Sequence, residues 1–106
     1  MRVIIEINLK NLNDNLNYFK KNLPRGARFA AVVKADAYGH GAVGVVKAIR
    51  EKVDYFVTAS AEEAEEVREL TKKPILCLAA LSESEATRCV LKGIEISVSS
   101  ESDVRM

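Results

Sequence analysis

The stretch Ala-Val-Val-Lys-Ala-Asp-Ala-Tyr-Gly-His-Gly occupies residues 31–41 of the chain. The residues before Lys34 form an apolar run in which polar and apolar side chains do not alternate. Such a run is typical of a strand buried on both faces of a parallel sheet. Lys34 is then expected at the carboxyl end of that strand, where α/β folds place their ligands. This stretch is therefore the best candidate for a reactive centre.

The residues after Lys34 suit a flat, anionic ligand. Small side chains leave room for it, and two glycines let backbone amides approach an anion closely. Tyr38 offers a hydroxyl, and the helix expected from Ala42 would direct its positive end to the same region. A partly desolvated Lys34 amine would be available for Schiff-base formation.

Structural interpretations of the same residues compete with this functional one. Lys34 could extend into solvent and pair with Asp36, and Tyr38 could be a core aromatic with its hydroxyl at the edge. His40 could be a surface loop residue, because a lone histidine is not a metal site. A single lysine near glycines is a weak signal, so spacing leaves these alternatives open.

Strand-like and helix-like segments alternate outward from this stretch. Strands are predicted to start at positions 29, 55, 75 and 94, and each is followed by a helical or cap-like segment. Residues 3–7 form a β-branched run and are predicted to be a further strand. The helix between 3–7 and 29 has an apolar face at steps of three and four residues, namely Leu9, Leu12, Leu16, Phe19 and Leu23.

Capping patterns mark where the helices begin. Asn8 is predicted to cap the first helix. Ser60 with Glu63, and Ser82 with Glu85, each match the capping-box spacing that opens a helix.

This alternation predicts an α/β fold of parallel strand–helix repeats with right-handed crossovers. A TIM-type (β/α)8 barrel needs about 250 residues, so a chain of 106 corresponds to about half a barrel. A small open parallel α/β sheet is the alternative. A helix that barely begins before Met106 favours a chain that continues.

Composition excludes several functional classes. Sixteen Lys and Arg against 15 Asp and Glu give a net charge of +1, which favours neither nucleic acid nor an anionic membrane as a partner. No apolar run approaches the length of a membrane span. The apolar run at the N-terminus is interrupted by a charged residue too early to be a signal peptide. Cys77 and Cys89 lie in apolar segments and are interpreted as buried free thiols. A cytoplasmic location is the default expectation.

Residues 31–41 resemble the cofactor-lysine motif of alanine racemases, which are fold-type III enzymes dependent on pyridoxal phosphate. The resemblance extends to Glu6-Ile7-Asn8-Leu9 with Asn15-Leu16, and to Glu62-Glu63-Ala64 followed by Pro74-Ile75-Leu76-Cys77-Leu78. It spans essentially the whole chain but only the first part of the family's length. Asp36 stands where many family members carry asparagine.

The resemblance implies roles for three residues. Lys34 matches the lysine that holds pyridoxal 5′-phosphate covalently and acts as one of two acid–base groups, on the D-alanine side. Tyr38 matches the tyrosine that binds the cofactor phosphate, and Leu78 falls where the family has an apolar contact near the cofactor. The implied reaction interconverts L- and D-alanine for cell-wall D-alanine supply, and the implied assembly is a homodimer.

The family's second acid–base group is a tyrosine from the carboxyl-terminal domain of the partner subunit, and no tyrosine of this chain matches it. Residues 1–106 are therefore expected to be the amino-terminal part of a pyridoxal-phosphate-binding barrel domain without the carboxyl-terminal domain. On its own such a chain is expected to be catalytically incomplete and to self-associate. A non-catalytic pyridoxal-phosphate binder and an inert structural fragment are the alternatives.

Overall fold

Four parallel strands form one sheet in the computed structural model, which describes residues 2–105. The strands are β1 (Ala30–Val32), β2 (Tyr55–Thr58), β3 (Ile75–Cys77) and β4 (Glu95–Ile96). They lie side by side in the order in which they occur in the sequence. A doubly wound open sheet reverses its strand order at a switch point, whereas a barrel adds each strand next to the preceding one. The order confirms the predicted α/β fold and is that of a partial barrel.

Three of the helices begin directly after the capping residues that the sequence indicates, namely Asn8, Ser60 and Ser82. The helices are α1 (Leu9–Lys21), the short α2 (Lys34–Tyr38), α3 (Ala42–Ile49), α4 (Ala61–Arg68), α5 (Glu83–Leu91) and α6 (Glu101–Val104). The Asn8 side chain accepts a hydrogen bond from the amide of Asn11 at the start of α1. Ser82 and Glu85 form a complete, reciprocal capping box on α5.

The predicted strand over residues 3–7 is wrong. Residues 2–8 have no regular secondary structure, and Val3, Ile4 and Ile5 are all more than 70% exposed. A strand is stable only when a neighbour satisfies its backbone N–H and C=O groups. Within residues 2–105 no strand lies beside this segment, so its β-branched composition alone does not order it.

The helices cover one face of the sheet. Phe56 pairs in register with Ile75, and both side chains are fully buried with Ala64 and Val67 of α4. Side chains alternate between the two faces along each strand. The opposite face carries Val32, which is 44% exposed at the edge of the sheet, whereas its register partner Val57 is 8% exposed, so this face is partly open within the described residues. In a closed barrel that face would line the interior. The prediction that β1 is buried on both faces is therefore wrong, because β1 is an edge strand with a single neighbour among these residues.

The two cysteines behave as the sequence predicts. Cys77 on β3 and Cys89 on α5 are fully buried free thiols. Burial raises the pKa of both thiols, which keeps them in the unreactive protonated form.

Among the helices of residues 2–105, none combines the length and the apolar character that a bilayer crossing requires.

Candidate functional site

The residues implied by the resemblance lie at the carboxyl end of the sheet. Lys34 is the second residue after β1, and Leu78 directly follows β3. Backbone pairing continues past the strand ends, because the amide of Val33 donates to Val57 O (2.9 Å) and that of Leu78 donates to Thr58 O (2.9 Å). Two strand spacings separate β1 from β3, so the two backbones lie about 10 Å apart. Both side chains are exposed.

The element α2 is not a right-handed helix, because its residues 35–38 form a left-handed turn. The φ angles of Ala35, Asp36, Ala37 and Tyr38 are 52°, 56°, 55° and 55°. This conformation costs about 1–2 kcal/mol for each residue that carries a Cβ, and consecutive examples are rare. The sequence predicts only a loop here, since three of these four residues are of types that have no preference for positive φ. Strain of this kind is concentrated at functional sites.

Local hydrogen bonds stabilise the left-handed turn. The amide of Gly39 donates to Ala35 O (3.0 Å), and that of Gly41 donates to Asp36 O (2.9 Å). The Asp36 carboxylate accepts from the amide of Ala42 (2.8 Å) and so caps α3. Asp36 therefore serves the backbone, and no ion pair joins it to Lys34 within residues 2–105. Asparagine has the same acceptor oxygen and also tolerates positive φ, so either residue suits this position.

Glu63 of α4 links the left-handed turn to the neighbouring strand. Its Oε2 accepts from the amide of Ala35 (2.8 Å), and its Oε1 accepts from the amide of Ala59 (2.9 Å). The predicted capping box on α4 is thus half formed: Ser60 Oγ accepts from the Glu63 amide (3.1 Å), but the Glu63 carboxylate does not return to Ser60. Sequence reasoning missed this role, because the spacing of Ser60 and Glu63 already had a local explanation.

Tyr38 lies beside the candidate lysine. Lys34 Nζ is 5.9 Å from the centroid of the Tyr38 ring. The Tyr38 side chain is 59% exposed, so the interpretation as a core aromatic is wrong. His40 follows in the same exposed segment, as expected for a surface loop residue.

The other two tyrosines are remote from this end of the sheet. Tyr18 lies on α1 and is exposed. Tyr55 opens β2 at the amino end of the sheet, where its hydroxyl donates to Glu95 Oε1 (2.9 Å) and its ring lies under the Arg28 guanidinium. The hydrogen bond to the Glu95 carboxylate raises the pKa of Tyr55. Tyr55 is thus a structural group on the side opposite to Lys34.

The groups at the carboxyl end suit a flat aldehyde that carries a phosphate. Lys34 offers a primary amine, Tyr38 a hydroxyl donor, and Leu78 an apolar surface on the second strand along. Phenol hydroxyls and backbone amides are ordinary phosphate ligands, and a primary amine reacts with an aldehyde to form a Schiff base.

Comparison with known proteins links this geometry to one family. The family model described as "Alanine racemase, N-terminal domain" matches residues 7–106. An alanine racemase of Streptococcus pyogenes serotype M5 (strain Manfredo) is 37% identical over 98 residues, which cover 92% of this chain and 27% of that relative.

Solved structures give the same result. An alanine racemase of Clostridium difficile 630 superposes with a TM-score of 0.88 at 39% identity, covering 93% of this chain and 26% of that one. An alanine racemase from E. faecalis superposes with a TM-score of 0.86 at 30% identity, covering 93% and 27% respectively. The chain therefore spans about a quarter of the length of the relatives it matches.

Proposed function

The chain belongs to the family of alanine racemase N-terminal domains, and we propose that it supplies the part of an alanine racemase that holds pyridoxal 5′-phosphate. The position of Lys34 carries this proposal. Its amine stands at the carboxyl end of a parallel sheet, next to a strained turn that holds Tyr38 beside it. Strained backbone next to a nucleophile is an arrangement that a purely structural loop does not need.

Each residue of the site has a distinct task in this proposal. Lys34 Nζ binds the cofactor aldehyde covalently, and the Tyr38 hydroxyl donates a hydrogen bond to its phosphate. Leu78 contacts the ring from β3. The bound cofactor supplies a conjugated ring that withdraws electrons from the Cα of an attached amino acid. The Lys34 amine would be the group of this chain that moves a proton at that carbon.

The proposed substrate is alanine, interconverted between its L and D forms for D-alanine supply in the cytoplasm. The two-base reaction that the resemblance implies uses a second proton-transfer group on the opposite face of Cα. Tyr55 lies at the wrong end of the sheet and Tyr18 on an outer helix, so neither provides it. We propose that a second group comes from another domain or subunit in a homodimer. The 106 residues alone then bind the cofactor without racemising alanine at an enzymatic rate.

The test is covalent labelling. The chain is incubated with pyridoxal phosphate, reduced with borohydride and mapped by peptide mass spectrometry. We expect the label on Lys34 in preference to the other lysines, and its loss in Lys34→Arg. Lys47→Arg is the control, because Lys47 is an exposed lysine in the last turn of α3 and away from the site.

Two outcomes would contradict the proposal. Label spread evenly over surface lysines would rule out cofactor binding at Lys34. Alanine racemisation by the chain alone that disappears in Lys34→Arg would show that no second domain is needed. Selective labelling without turnover would also fit a non-catalytic pyridoxal-phosphate binder, the second candidate.

A further inference from the structure

We propose that Glu63 is a positioning residue for Lys34. We call the pair of hydrogen bonds from the amides of Ala35 and Ala59 to its carboxylate the Glu63 bridge. The bridge fixes the peptide that joins Lys34 to Ala35, and this peptide sets the direction in which the lysine side chain leaves the backbone. The role of Lys34 rests on the function proposed above, but the bridge itself can be tested without it.

In the Glu63 bridge, each oxygen of the carboxylate accepts one hydrogen bond. The two carboxylate oxygens bind separate donors at 2.8 and 2.9 Å, and the donors follow β1 and β2 respectively. Ala35 lies 28 residues before Glu63, whereas Ala59 lies four residues before it. The bridge therefore ties the loop after one strand to the loop after its neighbour.

The bridge acts where the backbone is most strained. Ala35 is the first residue of the left-handed turn, with a φ of 52°. The amide of Ala35 comes before that φ rotation, so its hydrogen bond fixes the plane from which the turn begins. A charge-assisted hydrogen bond is stronger than a neutral one and opposes relaxation of the turn toward the right-handed region.

Helix capping does not explain the position of the carboxylate. Ser60 Oγ already accepts the amide of Glu63 at the start of α4. Glu62 is also in the first turn of α4, but it faces α5, where its carboxylate lies 3.4 Å from Arg88. Both acids have the same relation to the helix dipole, yet only Glu63 reaches the Lys34 segment.

A glutamine cannot replace Glu63 in this arrangement. A carboxylate has two acceptor oxygens, whereas a carboxamide has one acceptor and one donor group. Glu63→Gln therefore leaves one of the two backbone amides facing an N–H donor. Glu62→Gln removes the same charge from the same helical turn and is the matched control.

The experiment combines two measurements on the 106-residue chain. Amide hydrogen exchange followed by NMR reports on the bridge, and the fraction of borohydride-fixed pyridoxal phosphate on Lys34 reports on positioning. In Glu63→Gln we expect exchange at Ala35 and Ala59 to rise about tenfold or more. We expect the preference of the label for Lys34 over other lysines to fall about tenfold, with both quantities unchanged in Glu62→Gln.

The outcomes separate the bridge from the proposed function. Exchange that rises across the whole sheet in Glu63→Gln, or that does not change at Ala35, overturns the positioning role. Labelling of the unsubstituted chain without preference for Lys34 refutes the proposed function, while the exchange data still decide the bridge.

A measurement on the unsubstituted chain covers the case in which Glu63→Gln does not fold. NMR couplings across hydrogen bonds are expected between the amide nitrogens of Ala35 and Ala59 and the Glu63 side-chain carboxyl carbon. Coupling from neither amide, or from Ala59 alone, would overturn the proposal.

Discussion

At the residue scale, the candidate site is built from ordinary side chains on an unusual backbone. Ala35 and Ala37 have no side-chain group that favours positive φ, yet both adopt it. The stabilisation must therefore come from their surroundings, which are the hydrogen bonds within the turn and the carboxylate of Glu63. Ala35, held in this way, fixes the backbone beside Lys34, and its own side chain does not need to contact the ligand.

Because of this strain, we expect substitution by glycine to change the free energy of unfolding in opposite directions at Ala35 and at Ala48. Ala35→Gly should raise the free energy of unfolding by up to about 1 kcal/mol, because relief of the left-handed strain exceeds the entropy cost of glycine. Ala48→Gly, within the right-handed helix α3, should lower it by about 1 kcal/mol. Urea denaturation measures both. Equal losses of stability in the two variants would show that the turn is not strained.

At the element scale, α4 and α5 are joined by a group of charges on the helical side of the sheet. Glu65 of α4 accepts from Arg88 (3.0 Å) and also contacts Lys92, which ends α5. Hydrogen bonds from Lys92 and Arg88 lower the pKa of Glu65 below its ordinary value of 4.5. Within residues 2–105, Glu63 is the residue of α4 and α5 whose side chain bonds to the segment after Lys34.

This lowered pKa predicts acid sensitivity of the α4–α5 contact. The stabilisation is fully present above the ordinary pKa of 4.5 and is lost as the pH falls through the lower folded-state pKa. The melting temperature should therefore fall as the pH is lowered below about 4.5, and less steeply in Glu65→Gln. Glu66→Gln is the control, since Glu66 forms no ion pair within residues 2–105. Identical pH profiles for the chain and Glu65→Gln would exclude this contribution.

At the scale of the whole molecule, the sheet has two unpaired outer strands. β1 and β4 each have a single partner among the described residues. Edge strands with free backbone groups pair readily with other chains, especially where the side chains are apolar. The partly open face of the sheet adds to this tendency, because Val32 and Leu78 are both about half exposed.

We therefore expect the chain on its own to self-associate through the β1 edge. Val32→Lys should shift it toward monomer, since a lysine on an edge strand opposes pairing. Val43→Lys is the matched control, because Val43 on α3 is 43% exposed and Val32 is 44% exposed. Sedimentation velocity over a range of concentrations measures the change. An equal shift in both variants would mean that added charge, and not the edge, controls association.

The sequence alone predicts those features of this chain that depend on local interactions. The order of strands and helices from residue 9 onward, the caps at Asn8 and Ser82, and the position of Lys34 after an apolar strand all follow from residues within a few positions of one another. Hydrophobic periodicity and capping depend on residues close together in the chain, so they can be recognised from the sequence alone. The resemblance carried by residues 31–41 belongs here too, because it rests on a contiguous motif.

Only the tertiary structure decides the features that need a partner distant in the chain. Residues 3–7 have strand-forming side chains but no neighbouring strand, so they remain irregular. The left-handed turn is unfavourable for its own sequence, and Glu63, 28 residues after Ala35, is among the groups that hold it. A hydrogen bond from a backbone amide to a carboxylate far away in the chain produces no periodic pattern in the sequence. For that reason the sequence identifies Lys34, whereas the fold reveals what positions it.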